Sequence, residues 1–339
     1  MSKYSELFTD PEWFLAAFDA DNAQFSFIKT SLPTLRNAPF HDGRSNLSVN
    51  GATTKVSLDE AMSWQQSQLV TATPNRLLIH VSFCGSTLLA KALGLDGRNL
   101  AYQEPQVLID LANLKAGRHA ISLLGNVWNH ILSFSFGQFK KHWTDQRAAF
   151  VKPSNWANNI VPDALNTPSP SRCVIIDFDI ESYLVANLRG GQKRLGYSLE
   201  LLNHLARQNQ SDKVLAERVE RMPLSPIQKV LHLLTITFDA QQRCLTEIAG
   251  RADSVFWLSK KQLLRSPRES LANVADALNI EFEASGTRPQ LATLFKTNAK
   301  AEAPLEFSLR EESARNSYVL TEFGGDISQA IQWYQATLI

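Results

Sequence analysis

Cysteine is scarce in this sequence of 339 residues, which contains three. Cys84, Cys173 and Cys244 lie far apart in the chain. An odd number of cysteines at such spacing predicts neither a disulfide framework nor a zinc site. Because no other cluster of residues has the spacing of metal ligands either, we expect no metal cofactor.

An excess of charge of one sign is also missing, since 34 Lys and Arg residues face 33 Asp and Glu residues. A nucleic-acid-binding protein would show a clustered basic excess, so we expect no nucleic-acid partner. No apolar run approaches the roughly twenty residues of a membrane span. The first residues, MSKYSE, lack the apolar region of a signal peptide. These absences predict no membrane partner and a cytoplasmic location, as in a bacterial-type cytosolic enzyme.

The composition that remains is that of a globular protein, with 44% hydrophobic and 20% charged residues. It allows one large domain or a domain with an appendage. We divide the chain into an N-terminal extension, residues 1–75, packed on the edge of a sheet, and a main domain, residues 76–339. Within the extension, Asp10 and Pro11 predict the start of a helix. Ser57 and Glu60 form the pattern of a capping box at the start of another helix.

Residues 76–93, RLLIHVSFCGSTLLAKAL, are the most informative stretch. Residues 77–81 form a short apolar run that predicts a buried parallel strand, and residues 87–93 predict a helix. The small residues between them make a tight turn that leaves backbone N–H groups pointing outward, with the positive end of the helix dipole behind them. Such a turn binds anions, and phosphate is the natural ligand.

This turn departs from the phosphate-loop pattern G-x-x-x-x-G-K-S/T, because His80 stands at the first Gly and Ser86 at the Lys. By spacing alone, an ordinary turn between a strand and a helix explains the small residues as well.

Three segments in the right order resemble the sulfotransferases, a branch of the P-loop fold. The run FCGSTLL, residues 83–89, is similar to the family's loop K/R-S-G-S/T-T-L/W-L, with Phe83 in place of the basic residue and Cys84 in place of the serine. YQEPQVL, residues 102–108, resembles the family's R/K-E-P segment. VFWLSKKQLLRSPRESL, residues 255–271, leads on to ALNI and is similar to the closing signature of a strand, E-D-L-x-x-x-P and a helix.

The resemblance implies transfer of a sulfuryl group from 3′-phosphoadenylyl sulfate to a hydroxyl or amine, without a metal. The donor-binding loop then consists of Ser82, Phe83, Cys84, Gly85, Ser86, Thr87 and Leu88. Lys152, which ends the apolar run at residues 148–152, matches a lysine that stabilises the transferring group. Glu104 is our candidate for the base. Without the resemblance, Lys152 is equally a cation at a strand end and Glu104 a structural cap.

Two donor-binding positions of the family are lost here, because Phe178 and Ala186 stand where an arginine and a serine bind the 3′-phosphate. Basic residues that follow these two positions could replace the lost charge. They are Arg189, Lys193 and Arg194, close behind Ala186, and Arg310 and Arg315 in the C-terminal part of the chain. Of these, Arg189, Arg310 and Arg315 are our candidates for donor binding. A solvated basic turn around Gly190 explains Arg189, Lys193 and Arg194 equally well.

Strands that alternate with helices predict a three-layer α/β/α fold with a mostly parallel central sheet, the P-loop arrangement of the sulfotransferases. We assign strands to residues 77–81, 148–152, 172–178 and 254–258. The acceptor is a small molecule, a carbohydrate or a peptide; the sequence does not distinguish them. It leaves the oligomeric state open as well, a homodimer included.

Two alternatives remain. A thiol at the N-terminus of a helix has a lowered pKa, so Cys84 is a candidate nucleophile, with His80 as the one nearby base. A sulfotransferase-like scaffold that has lost donor binding and acts as a binding or regulatory module is the other alternative, supported by Phe83, Phe178 and Ala186.

Overall fold

The protein is described here by a computed structural model that covers residues 4–67, 73–117, 125, 127–146, 148–166, 169–283, 288–296 and 309–338, with the backbone alone for residues 288, 309 and 310. Its strands are β1 (Trp13–Asp19), β2 (Gln24–Lys29), β3 (Thr53–Ser57), β4 (Asn75–His80), β5 (Asn99–Gln103), β6 (Ala148–Lys152), β7 (Ser171–Asp177) and β8 (Ser254–Ser259). They form a three-stranded sheet, in the order β1-β2-β3, and a five-stranded sheet, in the order β5-β6-β4-β7-β8.

The five-stranded sheet is parallel throughout. Its central strand β4 carries Leu77, Leu78 and Ile79, all of which are buried. Such a continuous apolar run is what a strand covered on both faces requires. Because the strands are parallel, the loops that follow their carboxyl ends meet at one edge of the sheet.

The α-helices of the described residues are α1 (Ser5–Thr9), α2 (Leu32–Asn37), α3 (Leu58–Gln66), α4 (Ser86–Leu93), α5 (Gln106–Ala116), α6 (Val127–Gln138), α7 (Val161–Ala164), α8 (Ile180–Arg189), α9 (Gly191–Ala206), α10 (Gln210–Arg221), α11 (Pro226–Arg251), α12 (Lys260–Arg265), α13 (Pro267–Leu278), α14 (Arg288–Leu294) and α15 (Leu309–Thr337). A 3₁₀ helix spans Asn155–Ile160. None of these helices combines the length and apolar character needed to cross a membrane.

Helices flank the parallel sheet. Helix α4 contacts β4 and β5, α13 contacts β7 and β8, and these two helices also contact each other. The 3₁₀ helix contacts β4 and packs against α5 and α11, while α15 packs against α8 and α11. The predicted three-layer α/β fold with a mostly parallel sheet is therefore confirmed. Four of its five strands follow the predicted positions; β5, with the sequence NLAYQ, was not among them.

The beginning of the chain differs from the prediction. No helix starts at Asp10; strand β1 begins at Trp13 and pairs antiparallel with β2. The Asp10 carboxylate accepts a hydrogen bond from the N–H of Glu12, 2.9 Å away, which closes a turn instead of capping a helix. The buried side chains of Phe14 and Phe18 pack in the core as parts of a strand, so tertiary packing outweighs the local capping pattern. The capping box of Ser57 and Glu60 at the start of α3 is confirmed.

One segment of the N-terminal region lies beside β5, the edge strand of the parallel sheet. The backbone N–H of His41 donates to the carbonyl of Gln103, 2.7 Å away, and the N–H of Gln103 donates to Nδ1 of His41 at 3.2 Å. Nε2 of His41 lies 3.1 Å from the carbonyl of Leu35, and burial lowers the pKa of this histidine to about 4. A neutral ring satisfies both contacts and fixes the segment at the sheet edge. The division of the chain at residue 75 stays a prediction.

Candidate active site

The turn between β4 and α4 has the geometry of an anion-binding loop. Gly85, the residue before α4, has φ of 95°, in the left-handed region that favours glycine. No side chain caps the helix, so the N–H groups of its first turn are left for a ligand. Phe83 also has a positive φ, 66°, which is uncommon for a residue with a side chain. Backbone strain of this kind is concentrated at functional sites.

Polar side chains from two distant helices hold the first residue of the loop. Both the N–H and the hydroxyl of Ser82 donate to Oε1 of Gln241 in α11, each over 3.1 Å. The amide of Asn155 donates to the Ser82 hydroxyl at 2.9 Å, and the Tyr197 hydroxyl donates to Oδ1 of Asn155 at 2.8 Å. The loop is therefore fixed at its start by contacts that no local pattern indicates.

A cavity of about 790 Å³ opens above this loop. Its volume lies within the range of small-molecule and cofactor sites. The predicted site residues that line it are Ser82, Phe83, Gly85, Ser86, Thr87, Leu88, Glu104 and Arg189. Cys84 and Lys152 are fully buried and are not part of the lining.

Glu104 lies at the wall of the cavity, between two cations. Its Oε1 is 2.5 Å from Nζ of Lys152, and its Oε2 is 2.8 Å from Nη2 of Arg44. Burial would raise the pKa of Glu104, but the charges of Lys152, His80 and Arg44 outweigh it and lower this pKa to about 2. The Glu104 backbone has φ of 55°, and its N–H donates to the carbonyl of Lys152 at 2.7 Å. A carboxylate held in this way is a weak proton acceptor, which does not favour the predicted role of a base.

Lys152 differs from its expected position in the site. Its side chain has no exposed surface, and its ammonium group pairs with Glu104. In this arrangement the lysine holds the carboxylate that faces the cavity. Direct contact between Lys152 and a transferring group stays a prediction.

Arg44 was not predicted as a site residue. It comes from the segment fixed by His41, its Nε donates to Asp42 at 2.7 Å, and its guanidinium carbon lies 3.5 Å from the centroid of the Phe40 ring. The two carboxylates and the aromatic ring hold the guanidinium at the cavity wall. Sixty positions separate it from Glu104, so no motif could join the two.

Cys84 does not have the environment of a nucleophile. Its side chain is buried, and burial raises the pKa of its thiol to about 11. The expected lowering of this pKa is therefore wrong, because loss of hydration outweighs the hydrogen bonds with Ser86 and the charge of Lys152. The ring nitrogens of His80 lie 2.9 Å and 3.1 Å from the carbonyl oxygens of Val81 and Pro153. Both ring nitrogens of His80 therefore contact backbone carbonyls.

The part of the cavity wall that the second half of the chain forms is basic. It contains Arg189, Lys193, Arg194 and Lys260. Glu312, from the first turn of α15, also lines the cavity and pairs with Arg189 at 2.5 Å and with Lys260 at 3.2 Å. Burial would raise the Glu312 pKa, but the charges of Lys260 and Arg189 lower it, so the carboxylate is charged at neutral pH. The sequence offered no signal for Lys260 or Glu312 as site residues.

The remaining predictions for this wall have mixed outcomes. Phe178 and Ala186 are buried, so neither offers a polar contact to a ligand. Arg315 is exposed, lies 3.8 Å from Glu311 and is not part of the lining, so its prediction as a donor-binding residue is not supported. The side chain of Arg310 lies outside the described residues. Within the described ranges, no three His, Cys, Asp or Glu side chains come together in a way that could hold a metal ion.

Comparisons with solved structures find several similar chains, among them the "Sulfotransferase Domain from the Curacin Biosynthetic Pathway". The identity is 11%, the match covers 74% of this chain and 99% of that domain, and the TM-score is 0.36. No family model and no curated protein sequence matches the chain. A likeness of this size assigns no family. The function is therefore argued from the site.

Proposed function

We propose that this protein is a sulfotransferase-like enzyme. It takes a sulfuryl group from 3′-phosphoadenylyl sulfate and transfers it to a hydroxyl or amine of a small-molecule, carbohydrate or peptide acceptor. The observation that carries this proposal is the large cavity that joins the uncapped N-terminus of α4 to a wall of basic side chains. Helix N-termini and cations are the two groups that bind phosphate and sulfate oxygens.

The residues present fit the anionic groups of such a donor. The N–H groups of the first turn of α4 and the hydroxyls of Ser86 and Thr87 would hold the group next to the loop. Arg189, Lys193 and Lys260 are available for a second anionic group, in place of the family's arginine and serine at Phe178 and Ala186. When bound, the donor supplies the sulfuryl group and a good leaving group. Charge on that group is spread over its oxygens, so fixed N–H donors and cations stabilise the transition state.

Glu104 would act on the acceptor. Its carboxylate faces the cavity, so it can accept a hydrogen bond from the acceptor hydroxyl or amine and aim the lone pair of that group at sulfur. Lys152 and Arg44 fix the carboxylate in that position. Full transfer of the proton to Glu104 is disfavoured by its low pKa, which is about 2. Glu104 would thus orient the acceptor, whose proton would pass to water once the bond to sulfur forms and the bisphosphate leaves.

A second candidate is a binding or regulatory module on the same scaffold. The observation that favours it is Lys152, which is fully buried and paired with Glu104 instead of facing the cavity. A protein of this kind would bind an anionic ligand at the loop without transferring a group.

Calorimetric titration with adenosine 3′,5′-bisphosphate, beside ADP and ATP, tests the donor site. We expect a dissociation constant on the order of micromolar for the bisphosphate and weaker binding of the other two. Absence of binding for all three nucleotides would refute donor binding. If the bisphosphate binds, incubation with sulfur-labelled donor and mixed acceptors separates the two candidates, since the module would release no bisphosphate above the uncatalysed rate.

A further inference from the structure

The side chain of Arg194 takes an unusual path to the cavity. Arg194 belongs to the first turns of α9, and its stem lies directly over Gly190, the residue between α8 and α9. A Cβ atom added at Gly190 would overlap with Cγ, Cδ and Nε of Arg194. Gly190 has φ of −82°, which any residue can adopt, so its conformation does not require glycine. Glycine is required at this position because the side chain of Arg194 occupies the space that a Cβ would need.

Two further contacts direct the guanidinium of Arg194. Nη1 donates to the carbonyl of Ala186 at 2.8 Å, near the C-terminus of α8, where helix carbonyls need partners and attract cations. The guanidinium carbon lies 4.8 Å from the centroid of the Phe83 ring, in a cation–π contact. The carbonyl contact uses one of the five N–H groups of the guanidinium. Both Arg194 and Phe83 line the cavity.

Phe83 belongs to the loop itself. Its positive φ of 66° is part of the loop's geometry. A second ring, that of Tyr197, stands edge-on to the Phe83 ring at 6.2 Å between centroids. The aromatic side chain therefore forms a platform on which a guanidinium from another helix rests.

We propose that Arg194 supplies the cation for the anion held by the residue 82–88 loop, and that Gly190 is the positioning residue that lets it reach there. The cation thus comes from α9, over a platform made by Phe83. Burial lowers the pKa of Arg194, as does the charge of nearby Arg189, against an opposing effect of Glu312. A guanidinium under such repulsion gains from an anionic ligand. This inference rests on the proposed function insofar as the anion is part of a sulfate donor.

Four variants test it: R194A, G190A, the double variant R194A/G190A and the control G196A. Gly196 is also in α9, and an added Cβ there has no neighbour within 4 Å. Binding of adenosine 3′,5′-bisphosphate and of pyrophosphate is measured by calorimetry, and thermal unfolding of each variant is recorded. Loss of one charge-assisted contact predicts binding weaker by a factor on the order of ten to one hundred for R194A. G190A should weaken binding to a similar extent, with an unchanged or slightly higher melting temperature.

The decisive result is non-additivity. Because G190A acts through Arg194, it should have no further effect in the R194A background, whereas a merely structural defect would add to the loss. G196A should bind like the wild type. Equal binding by R194A and the wild type overturns the role of Arg194, and full binding by G190A overturns the role of Gly190.

The two ligands separate this inference from the proposed function. Wild-type protein that binds pyrophosphate but not the bisphosphate, with pyrophosphate binding lost in R194A, sustains the inference and contradicts the donor assignment. If the wild type and R194A bind the bisphosphate equally strongly, the donor assignment is sustained and the inference about Arg194 is contradicted. Failure of the wild type to bind either ligand overturns both.

Discussion

Nζ of Lys152 lies 2.5 Å from Oε1 of Glu104, and the two residues are also joined through the backbone, where the Glu104 N–H donates to the Lys152 carbonyl at 2.7 Å. Lys152 ends β6, and Glu104 directly follows β5, in which Gln103 is opposite Lys152. The pair therefore sets the chemistry of the cavity wall: one charge is buried, and the other faces the ligand.

Removal of one member of this pair should destabilise the protein more than removal of both. Lys152→Met leaves the largely buried Glu104 carboxylate with Arg44 as its remaining partner, and we expect a loss of about 3 kcal/mol in the free energy of unfolding. In the double variant K152M/E104Q most of this loss should be recovered, because no buried charge is left unpaired. Urea denaturation gives the free energy of unfolding of the wild type, K152M and the double variant. A double variant no more stable than K152M would show that the ion pair is not the source of the effect.

The pair should also make stability depend on pH in the acid range. The pKa of Glu104 is lowered from 4.5 to about 2, so its contribution is complete above pH 4.5 and is lost as the pH falls toward 2. We expect the wild type to lose stability over this range faster than E104Q does. Chemical unfolding at a series of pH values gives the difference in the free energy of unfolding between the two proteins. The contributions of the other carboxylates are the same in both and cancel in this difference. Parallel curves for the two proteins would contradict this prediction.

Gly85 should be essential to the loop. Its φ of 95° costs a residue with a Cβ roughly 1–2 kcal/mol, and Gly85→Val should therefore destabilise the protein and misplace the N–H groups that bind the anion. Binding of adenosine 3′,5′-bisphosphate should fall below detection in calorimetry. Gly250→Ala in α11, where an added Cβ has no neighbour within 4 Å, is the matched control and should bind normally. Normal binding by the valine variant would remove the loop from the site.

Cys84 should be dispensable for any activity of the protein. Its thiol is buried and its pKa is raised to about 11, so little thiolate exists near neutral pH. We expect Cys84→Ser to retain bisphosphate binding and any transfer activity within a factor of about two, since one small side chain replaces another. Alkylation of the native wild type by iodoacetamide should leave Cys84 unmodified, as mass spectrometry can show. Inactivation by modification at Cys84 would restore the covalent mechanism.

Glu312 should compete with ligands for the basic wall. Its carboxylate pairs with Arg189 and Lys260, so an incoming anion must displace it or share these cations. We expect Glu312→Gln to bind the bisphosphate more tightly, by a factor on the order of three to ten, because the carboxylate no longer neutralises the two cations. Arg189→Ala should bind more weakly. Weaker binding by E312Q would mean that Glu312 organises the wall instead of competing for it.

Local patterns determined the parts of the fold that depend on near neighbours. The apolar run at residues 77–81, the small residues that follow and the capping box of Ser57 and Glu60 each correspond to contacts within a few positions, and each was predicted correctly. Asp10 shows the limit of this reasoning. Its capping pattern was outweighed because Phe14 and Phe18 gain more from packing in an antiparallel strand.

The sequence by itself therefore determined four of the five strands of the parallel sheet and the turn of small residues between β4 and α4. Tertiary structure alone decided what surrounds that turn. Arg44 pairs with Glu104 across 60 positions, Ser82 is held by Gln241 across 159, and the burial of Lys152 follows from the packing of β6 inside the sheet. Contacts of this range depend on which loops the parallel strands bring to one edge, and no spacing in the chain encodes them.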